Sequence, residues 1–166
     1  MAYSVIRTDL MSGTKQPADL VSLIVEDGNG DPMDVENGAI IKIGAYVDDE
    51  RELLHATIAT SSDDLSECAV VASPEMMYDE HKRALEDFIN KAGVPARGYR
   101  LRTRNGFSLT KEGFVNATAP AVGDKLAIGA NGKLTTDANG TFGSCKHIET
   151  VGGYTWYYVE IGKVGD

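Results

Sequence analysis

The sequence predicts a mainly β chain of the α+β class, with short antiparallel strands forming a small barrel or sandwich and one helix at about 74–92. Short apolar runs rich in β-branched residues alternate with turn sequences, which is typical of such folds. Glycine contributes 18 of 166 residues, above its usual share of ~7 %. Hydrophobic residues make up 42 % of the chain, which suffices for a folded core.

Four apolar runs in the first half of the chain predict strands. They lie at 19–25, 39–44, 52–60 and 68–72. Alternation in the third run places Leu54, Ala56 and Ile58 on one face. Residues 2–15 alternate poorly and predict an extended arm or an edge strand. We therefore assign 1–35 to an N-terminal arm with the first strand.

The segment 74–92 has the pattern of an amphipathic helix. Ser73 suits the N-cap and Pro74 the first helical position, while Gly93 offers a left-handed C-terminal cap. Apolar side chains recur at helical spacing: Met77, Leu85, Phe88, Ile89 and Ala92. We interpret this stripe as core packing rather than as a groove for a partner. The helix belongs to a predicted α+β core region over 36–119.

Three arginines follow the predicted helix at alternate positions. In the predicted strand 98–104, Arg100, Arg102 and Arg104 share one face. Three like charges on one strand face repel each other unless something neutralises them. Two interpretations stay open. Acidic side chains of residues 1–70 pair with the arginines inside the fold, or the arginines bind an anionic surface of a protein partner.

The last part of the chain, 120–166, predicts a small β module. Its expected strands lie at 125–128, 133–135, 143–150 and 154–161. Glycine-containing turns at 131–132 and 151–153 predict two hairpins. On the last strand Tyr154, Trp156 and Tyr158 share one face. Core packing accounts for part of this aromatic row, and an interface is its other interpretation.

The formal net charge is −9, and the negative charge is concentrated in the first 70 residues. This stretch contains fourteen acidic side chains and four basic ones. A negative chain is repelled by phosphate backbones, so nucleic-acid binding is disfavoured. The first residues lack a basic region followed by an apolar stretch, and no apolar run nears the ~20 residues of a membrane helix. We therefore expect no nucleic-acid partner, no membrane partner and synthesis in a cytoplasm.

The sequence contains no catalytic or metal motif that would identify a reaction. Its histidines lack zinc-site spacing: His55, His81 and His147. The loop 27–31 resembles the opening of a calcium loop, but the later positions of that motif are not met, so an acidic turn is preferred over weak calcium binding. Cys68 and Cys145 are predicted to be reduced and partly buried. We expect no cofactor and no enzyme activity. A small hydrolase is the third hypothesis, after a structural protein and a binding protein.

Three stretches resemble small structural proteins of tailed bacteriophages. They are Phe88 to Leu101, Pro120-Ala121-Val122-Gly123-Asp124 and Gly152-Gly153-Tyr154-Thr155. The Val-Gly-Asp strand, the Asn-Gly-Lys-Leu-Thr hairpin and the closing strand are similar to modules of phage head decoration, or cement, proteins. The resemblance covers about 36–162. It implies a non-enzymatic virion protein on the outer capsid surface that binds the major capsid protein and stabilises the shell.

No catalytic residues come with this resemblance, so the sites to be expected are interfaces. The candidate contacts are Arg100, Arg102, Arg104, Tyr154, Trp156 and Tyr158. The N-terminal arm is a second route of attachment, and another copy of the chain on the capsid is a further expected partner. The alternative function is a head appendage that binds host surfaces or glycans, with the Tyr154–Tyr158 aromatics as a stacking platform.

Overall fold

The computed structural model describes residues 2–14, 16–78, 81 and 84–165. The chain is mainly β, as predicted. The described strands are β1 Leu20–Glu26, β2 Ile40–Val47, β3 Glu50–Ile58, β4 Cys68–Val71, β5 Ala96–Arg100, β6 Gly106–Leu109, β7 Lys125–Ile128, β8 Leu134–Thr136, β9 Gly143–Val151 and β10 Tyr154–Ile161. Single 3₁₀ turns lie at Thr8–Leu10, Pro17–Asp19, Leu65–Glu67, Leu85–Asp87, Lys111–Gly113, Val115–Ala117 and Ala130–Gly132.

Strands β1 to β5 close into a barrel with the order β1–β3–β2–β4–β5. Neighbouring strands are antiparallel except β1 and β3, which run parallel. Alternating side chains fill the interior, among them Leu23, Ile41, Leu54, Ala56 and Val71, each at most 6 % exposed. The predicted barrel of short strands is confirmed for this part of the chain, with the parallel pair as a difference.

Strands β6 to β10 form a second sheet with the order β6–β10–β9–β7–β8. Both hairpins predicted from glycine turns are confirmed, since β7 pairs antiparallel with β8 and β9 with β10. Asn131, Gly132, Gly152 and Gly153 all have positive φ in these turns, as tight hairpins require. The second sheet also includes β6, which precedes the segment 120–166.

A shared apolar core joins the barrel to the second sheet. Ile40 and Val70 of the barrel pack in one cluster with Phe107, Leu126 and other buried residues of the sheet. The turn before β8 approaches β2 so closely that a Cβ built at Gly132 would clash with the backbone of Ile40. Side-chain packing and this backbone contact therefore hold the two sheets together.

The helix predicted at 74–92 is wrong for the described residues of that segment. Residues 74–78 are irregular, and 85–87 form a single 3₁₀ turn. Residues 79, 80, 82 and 83 of the predicted helix lie outside the described residues. Across the part of the chain that the structure describes, no helix has the length and apolarity needed to span a bilayer.

Tertiary hydrogen bonds at both ends of this segment explain why helical propensity is overridden. The Ser73 N–H donates to Asn37 Oδ1, and Ser73 Oγ accepts from the Arg97 N–H, so the expected capping hydroxyl is used elsewhere. The Asn90 backbone exchanges hydrogen bonds with Val35 in a β-bridge. A residue paired in this extended geometry cannot continue a helix.

Candidate binding surfaces

The three candidate arginines do not share a strand face. β5 ends at Arg100, and the chain turns where the Asn105 N–H donates to the Arg102 carbonyl oxygen. Arg104 has a φ of 65°, in the left-handed region. Arg100 is half-buried, whereas Arg102 and Arg104 are exposed. The predicted strand 98–104 is therefore wrong beyond Arg100, and so is the common face.

Arg102 is paired inside the chain. Its Nη2 and Nε donate to Asp19 Oδ1 at 2.6 and 2.9 Å. The Asp19 side chain is 1 % exposed, while that of Arg102 is 56 % exposed. Hydrogen bonding to Asp19, followed by its negative charge, raises the pKa of Arg102 above its usual value. For this arginine the structure contains the internal pair with an acid of residues 1–70 that one of the two interpretations predicted.

Trp156 is packed within the protein and is only 6 % exposed. Its Nε1 donates to the Val151 carbonyl oxygen at 3.2 Å. The guanidinium carbon of Arg7 lies 5.6 Å from the Trp156 ring centroid, and the same guanidinium pairs with Glu149 at 2.9 Å. Glycan stacking requires an exposed ring face, so this geometry counts against a platform built on Trp156.

The neighbouring tyrosines of β10 also make internal contacts. The Tyr154 hydroxyl donates to Glu86 Oε2 at 2.6 Å, and this bond, followed by burial, raises the pKa of Tyr154. Tyr158 lies against Gly106, where any Cβ would clash with its ring. The aromatic row therefore makes contacts within the chain: Tyr154 and Trp156 contact adjoining segments, and Tyr158 packs on β6 within the second sheet.

The N-terminal residues lie along β6 of their own chain. The Val5 N–H donates to Thr110 Oγ1 at 3.3 Å, and the Thr110 N–H donates to the Val5 carbonyl oxygen at 3.1 Å. Ile6 and Leu109 form an antiparallel bridge. Val5 and Ile6 are 2 % and 3 % exposed. The predicted extended arm is thus found only around the bridge at Ile6, because a 3₁₀ turn follows at Thr8–Leu10 and a further turn at 12–14. The side chains of Val5 and Ile6 are buried against the second sheet.

The loop 27–31 is closed by its own backbone. Asp27 Oδ1 accepts hydrogen bonds from the N–H groups of Asn29 and Asp31 at 2.8 and 3.1 Å, and these bonds lower the pKa of Asp27. This is the geometry of an acidic turn. Within the described residues, no group of three or more His, Cys, Asp or Glu side chains could hold a metal ion.

A cleft of about 360 Å³ lies between the N-terminal segment and the β9–β10 hairpin. Glu86 and Glu112 line it together with Lys111. Glu86 is already hydrogen bonded to Tyr154. Elsewhere, His55 Nδ1 contacts Glu26 Oε1 at 2.8 Å and not a serine. These contacts provide polar packing and do not form a nucleophile–base pair.

An exposed hairpin tip extends beyond the barrel at residues 46–52, where β2 turns into β3. Tyr46 is 62 % exposed there. Its neighbours in the tip are four exposed acids and one exposed base: Asp48, Asp49, Glu50, Glu52 and Arg51. The strands below are antiparallel, with Ile41 opposite Ile58 and Ile43 opposite Ala56, and their register shifts on either side of Tyr46. The tip therefore presents an aromatic ring with net negative charge at the end of a two-stranded β ribbon.

A second exposed apolar surface, the loop face, follows β4. We define it as an apolar groove of about 400 Å³ together with Tyr78; the groove is lined by Pro74, Met76, Phe88, Ile89, Val94 and Pro95. Met76 is 64 % exposed, Val94 58 % and Tyr78 91 %. Isolated exposed apolar residues are ordinary on protein surfaces, but a contiguous group indicates a binding surface.

Sequence reasoning missed both surfaces. It assigned the apolar residues of 74–92 to the core side of a helix and gave Tyr46 no role. A signal existed for the hairpin tip, because Asp48-Asp49 interrupts two β-type runs and places the adjacent aromatic beside a turn. The exposure of Tyr78 depends on tertiary contacts at Ser73 and Asn90, for which no local pattern exists.

Comparison of the chain with known family models, curated proteins and solved structures found no match. The hairpin tip and the loop face are therefore characterised by their own geometry, charge and exposure.

Proposed function

We propose that the chain is a non-enzymatic structural protein of a tailed-phage virion, made in the host cytoplasm, that binds the outer capsid surface and stabilises the shell. The resemblance of 36–162 to phage decoration modules supports this class of function. Its proposed partner is the major capsid protein. The observation that carries the proposal is the hairpin tip, an exposed aromatic side chain at the end of a β ribbon within a negatively charged surface.

The hairpin tip has the composition of a small protein-binding surface. A tyrosine combines a large apolar ring with a polar end, and such residues dominate the binding energy of many interfaces. Carboxylates around Tyr46 favour a partner surface with an apolar pocket and basic residues at its edge. Affinity for one site can be modest, because a shell offers many equivalent sites and a bridging protein gains avidity.

The proposal is tested with capsids assembled without this protein. The purified chain should bind them saturably and should raise the temperature at which the shells release DNA. Tyr46→Ser should weaken binding by removing the ring, and Asp48→Lys should weaken it by charge repulsion, more strongly at low salt. Asp31→Lys makes the same charge change at an exposed position outside the tip and should bind like the wild type.

Capsids that bind no wild-type protein, or that gain no heat resistance when saturated, would overturn the proposal. Equal loss of binding in Asp48→Lys and Asp31→Lys would show that the hairpin tip is not the capsid-binding surface, since the change in net charge alone would then account for the effect. Binding to host cells or glycans in place of capsids would favour the head-appendage alternative.

A further inference from the structure

The sequence contains five Asn-Gly dipeptides, the pair of residues at which an asparagine most readily loses its side-chain amide without an enzyme. They are Asn29-Gly30, Asn37-Gly38, Asn105-Gly106, Asn131-Gly132 and Asn139-Gly140. In this reaction the glycine nitrogen attacks Cγ of the asparagine, and glycine favours the attack because it has no Cβ to obstruct it. The backbone must rearrange locally, so the rate depends on how firmly the fold holds each pair.

Four of the five glycines are packed against a neighbouring strand. A Cβ built at any of them would clash with Leu109 at Gly38, with the Tyr158 ring at Gly106, with the Ile40 backbone at Gly132 and with the Leu126 backbone at Gly140. Asn37 is in addition only 1 % exposed, and its amide is hydrogen bonded to Ser73 and Asn90. Rearrangement at these four pairs therefore requires part of the barrel or of the second sheet to open.

The pair Asn29-Gly30 is held only by its own turn. Residues 28–31 are all exposed, and nothing lies within 4 Å of a Cβ built at Gly28 or Gly30. The Gly30 N–H donates to the Asp27 carbonyl oxygen at 3.1 Å, and the Asn29 N–H donates to Asp27 Oδ1 at 2.8 Å. Because both bonds lie within the turn, they can break without separating β1 from either of its neighbouring strands.

We propose that Asn29 is a site of spontaneous deamidation, at which the folded chain is modified while its other four Asn-Gly pairs stay intact. The Gly30 nitrogen loses its proton and bonds to Asn29 Cγ, the Cγ–Nδ2 bond breaks, and ammonia leaves. Water then opens the resulting cyclic imide at either carbonyl and gives aspartate or isoaspartate at position 29. Water is the only co-reactant. The modification goes beyond the proposed function, since it needs neither a capsid nor any other partner.

The product adds a negative charge to a turn that already contains Asp27 and Asp31. Asn29 Nδ2 lies 3.5 Å from Asp27 Oδ2, so deamidation replaces an amide with a carboxylate beside another carboxylate. Repulsion between the two charges opposes the closed turn. Isoaspartate also lengthens the backbone by one carbon. We therefore expect modification to loosen the turn and to leave the barrel intact, because nothing packs on Gly28 or Gly30.

The test is incubation of the full chain at mildly alkaline pH, with samples digested by a protease that cleaves after glutamate. Cleavage after Glu26 and Glu36 isolates Asn29 from Asn37, and mass spectrometry then follows each pair. Asn29 should deamidate at least about tenfold faster than each of the other four asparagines. In guanidinium chloride all five rates should agree within about threefold, because packing no longer distinguishes the pairs.

Two glycine variants test the chemistry of the turn. Gly30→Ala places a Cβ beside the attacking nitrogen and should slow the reaction at Asn29 at least about tenfold. Gly28→Ala is the matched control, since it makes the same change at an equally open position on the other side of Asn29. This variant should deamidate like the wild type. Circular dichroism checks that both variants fold.

Three results would overturn the inference: a native Asn29 that reacts no faster than Asn139, an Asn29 that reacts only in denaturant, or a Gly28→Ala variant slowed as much as Gly30→Ala. The second result would show that the hydrogen bonds to Asp27 protect this turn as well as packing protects the other pairs. None of these results concerns the hairpin tip, so this inference and the proposed capsid binding fail separately.

Discussion

Two nitrogens of Arg102 converge on a single oxygen of Asp19, and the other carboxylate oxygen, Oδ2, is buried with no hydrogen-bond partner among the described atoms. The pair connects the 3₁₀ turn before β1 to the segment that leads from the barrel into the second sheet. A buried carboxylate is tolerated when a cation neutralises it and becomes costly when that cation is removed. The contact therefore stabilises the junction of the two sheets.

Arg102→Gln should destabilise the protein, because it leaves the buried carboxylate of Asp19 without its cation, and the loss should be smaller than for a fully buried pair since the arginine is half exposed to solvent. Urea denaturation measures the change. Arg104→Gln, at a neighbouring exposed position, should stay within about 0.5 kcal/mol of the wild type. Adding Asp19→Asn to Arg102→Gln should recover part of the loss. Equal effects at 102 and 104 would show that the ion pair contributes nothing.

Gly132→Ala should destabilise the protein more than Gly30→Ala. Both glycines have positive φ, at 70° and 88°, which costs an alanine about 1–2 kcal/mol. A Cβ at Gly132 would also clash with the Ile40 backbone, whereas nothing lies within 4 Å of a Cβ at Gly30. Overpacking adds about 1–3 kcal/mol at Gly132. Equal denaturation midpoints for the two variants would contradict the close approach of the β7–β8 turn to the barrel.

The stability contributed by Asp63 should depend on pH. Hydrogen bonds from the Thr60 N–H at 2.8 Å and from Lys42 Nζ at 3.0 Å lower the pKa of this carboxyl group. A lowered pKa in the folded state gives stability that is present above the unfolded pKa of about 3.9 and is lost as pH falls through the folded pKa. Asp63→Asn should therefore be less stable than the wild type at about pH 7, and the difference should shrink at about pH 2.

Urea titrations of the wild type and Asp63→Asn across this pH range provide the measurement. Asp31→Asn is the matched control, because it removes an exposed carboxylate that makes no ion pair with a described residue. A destabilisation by Asp63→Asn that stays constant from neutral to acid pH would mean that the charge of Asp63 does not stabilise the fold.

Both cysteine thiols should resist alkylation in the native protein. Cys68 and Cys145 are free and buried, as the sequence predicted. Burial raises the pKa of Cys68 to about 12 and also raises that of Cys145, so the reactive thiolate is scarce at about pH 8. Iodoacetamide labelling followed by mass spectrometry should find both thiols unmodified until denaturant is added. Rapid labelling of the native chain would contradict the burial.

The strands were predictable because each carries its own pattern. Leu54 and Ala56 alternate with polar residues, and Asn131-Gly132 specifies a hairpin turn without help from distant residues. The pattern of 74–92 was equally clear, but it predicted an α-helix where the described residues are irregular apart from one 3₁₀ turn. The conformation of this segment depends on hydrogen bonds from Ser73 to Asn37 and from Asn90 to Val35. These partners lie more than 35 residues away in the sequence, so no local pattern reveals them.

The candidate sites were less predictable than the strands. Alternation placed Arg102 on a surface, but its buried partner Asp19 lies 83 positions earlier. The spacing of Trp156 is compatible with an exposed face and with a buried face, and its burial depends on tertiary contacts such as that with Arg7. Exposure of Tyr46 depends on where the barrel ends, which the three-dimensional arrangement of β1 to β5 determines.

The contact between Val5 and Thr110 spans 105 positions, and this separation has a consequence for folding during synthesis. Val5 leaves the ribosome long before its partner exists, while the barrel strands that follow it can pair earlier. Closing so long a loop costs entropy and slows folding. Until Leu109 emerges, the edge on which the N-terminal residues lie does not exist, and their apolar side chains stay available to chaperones or to aggregation. These residues are thus synthesised before their partners and are among the last to reach their native positions.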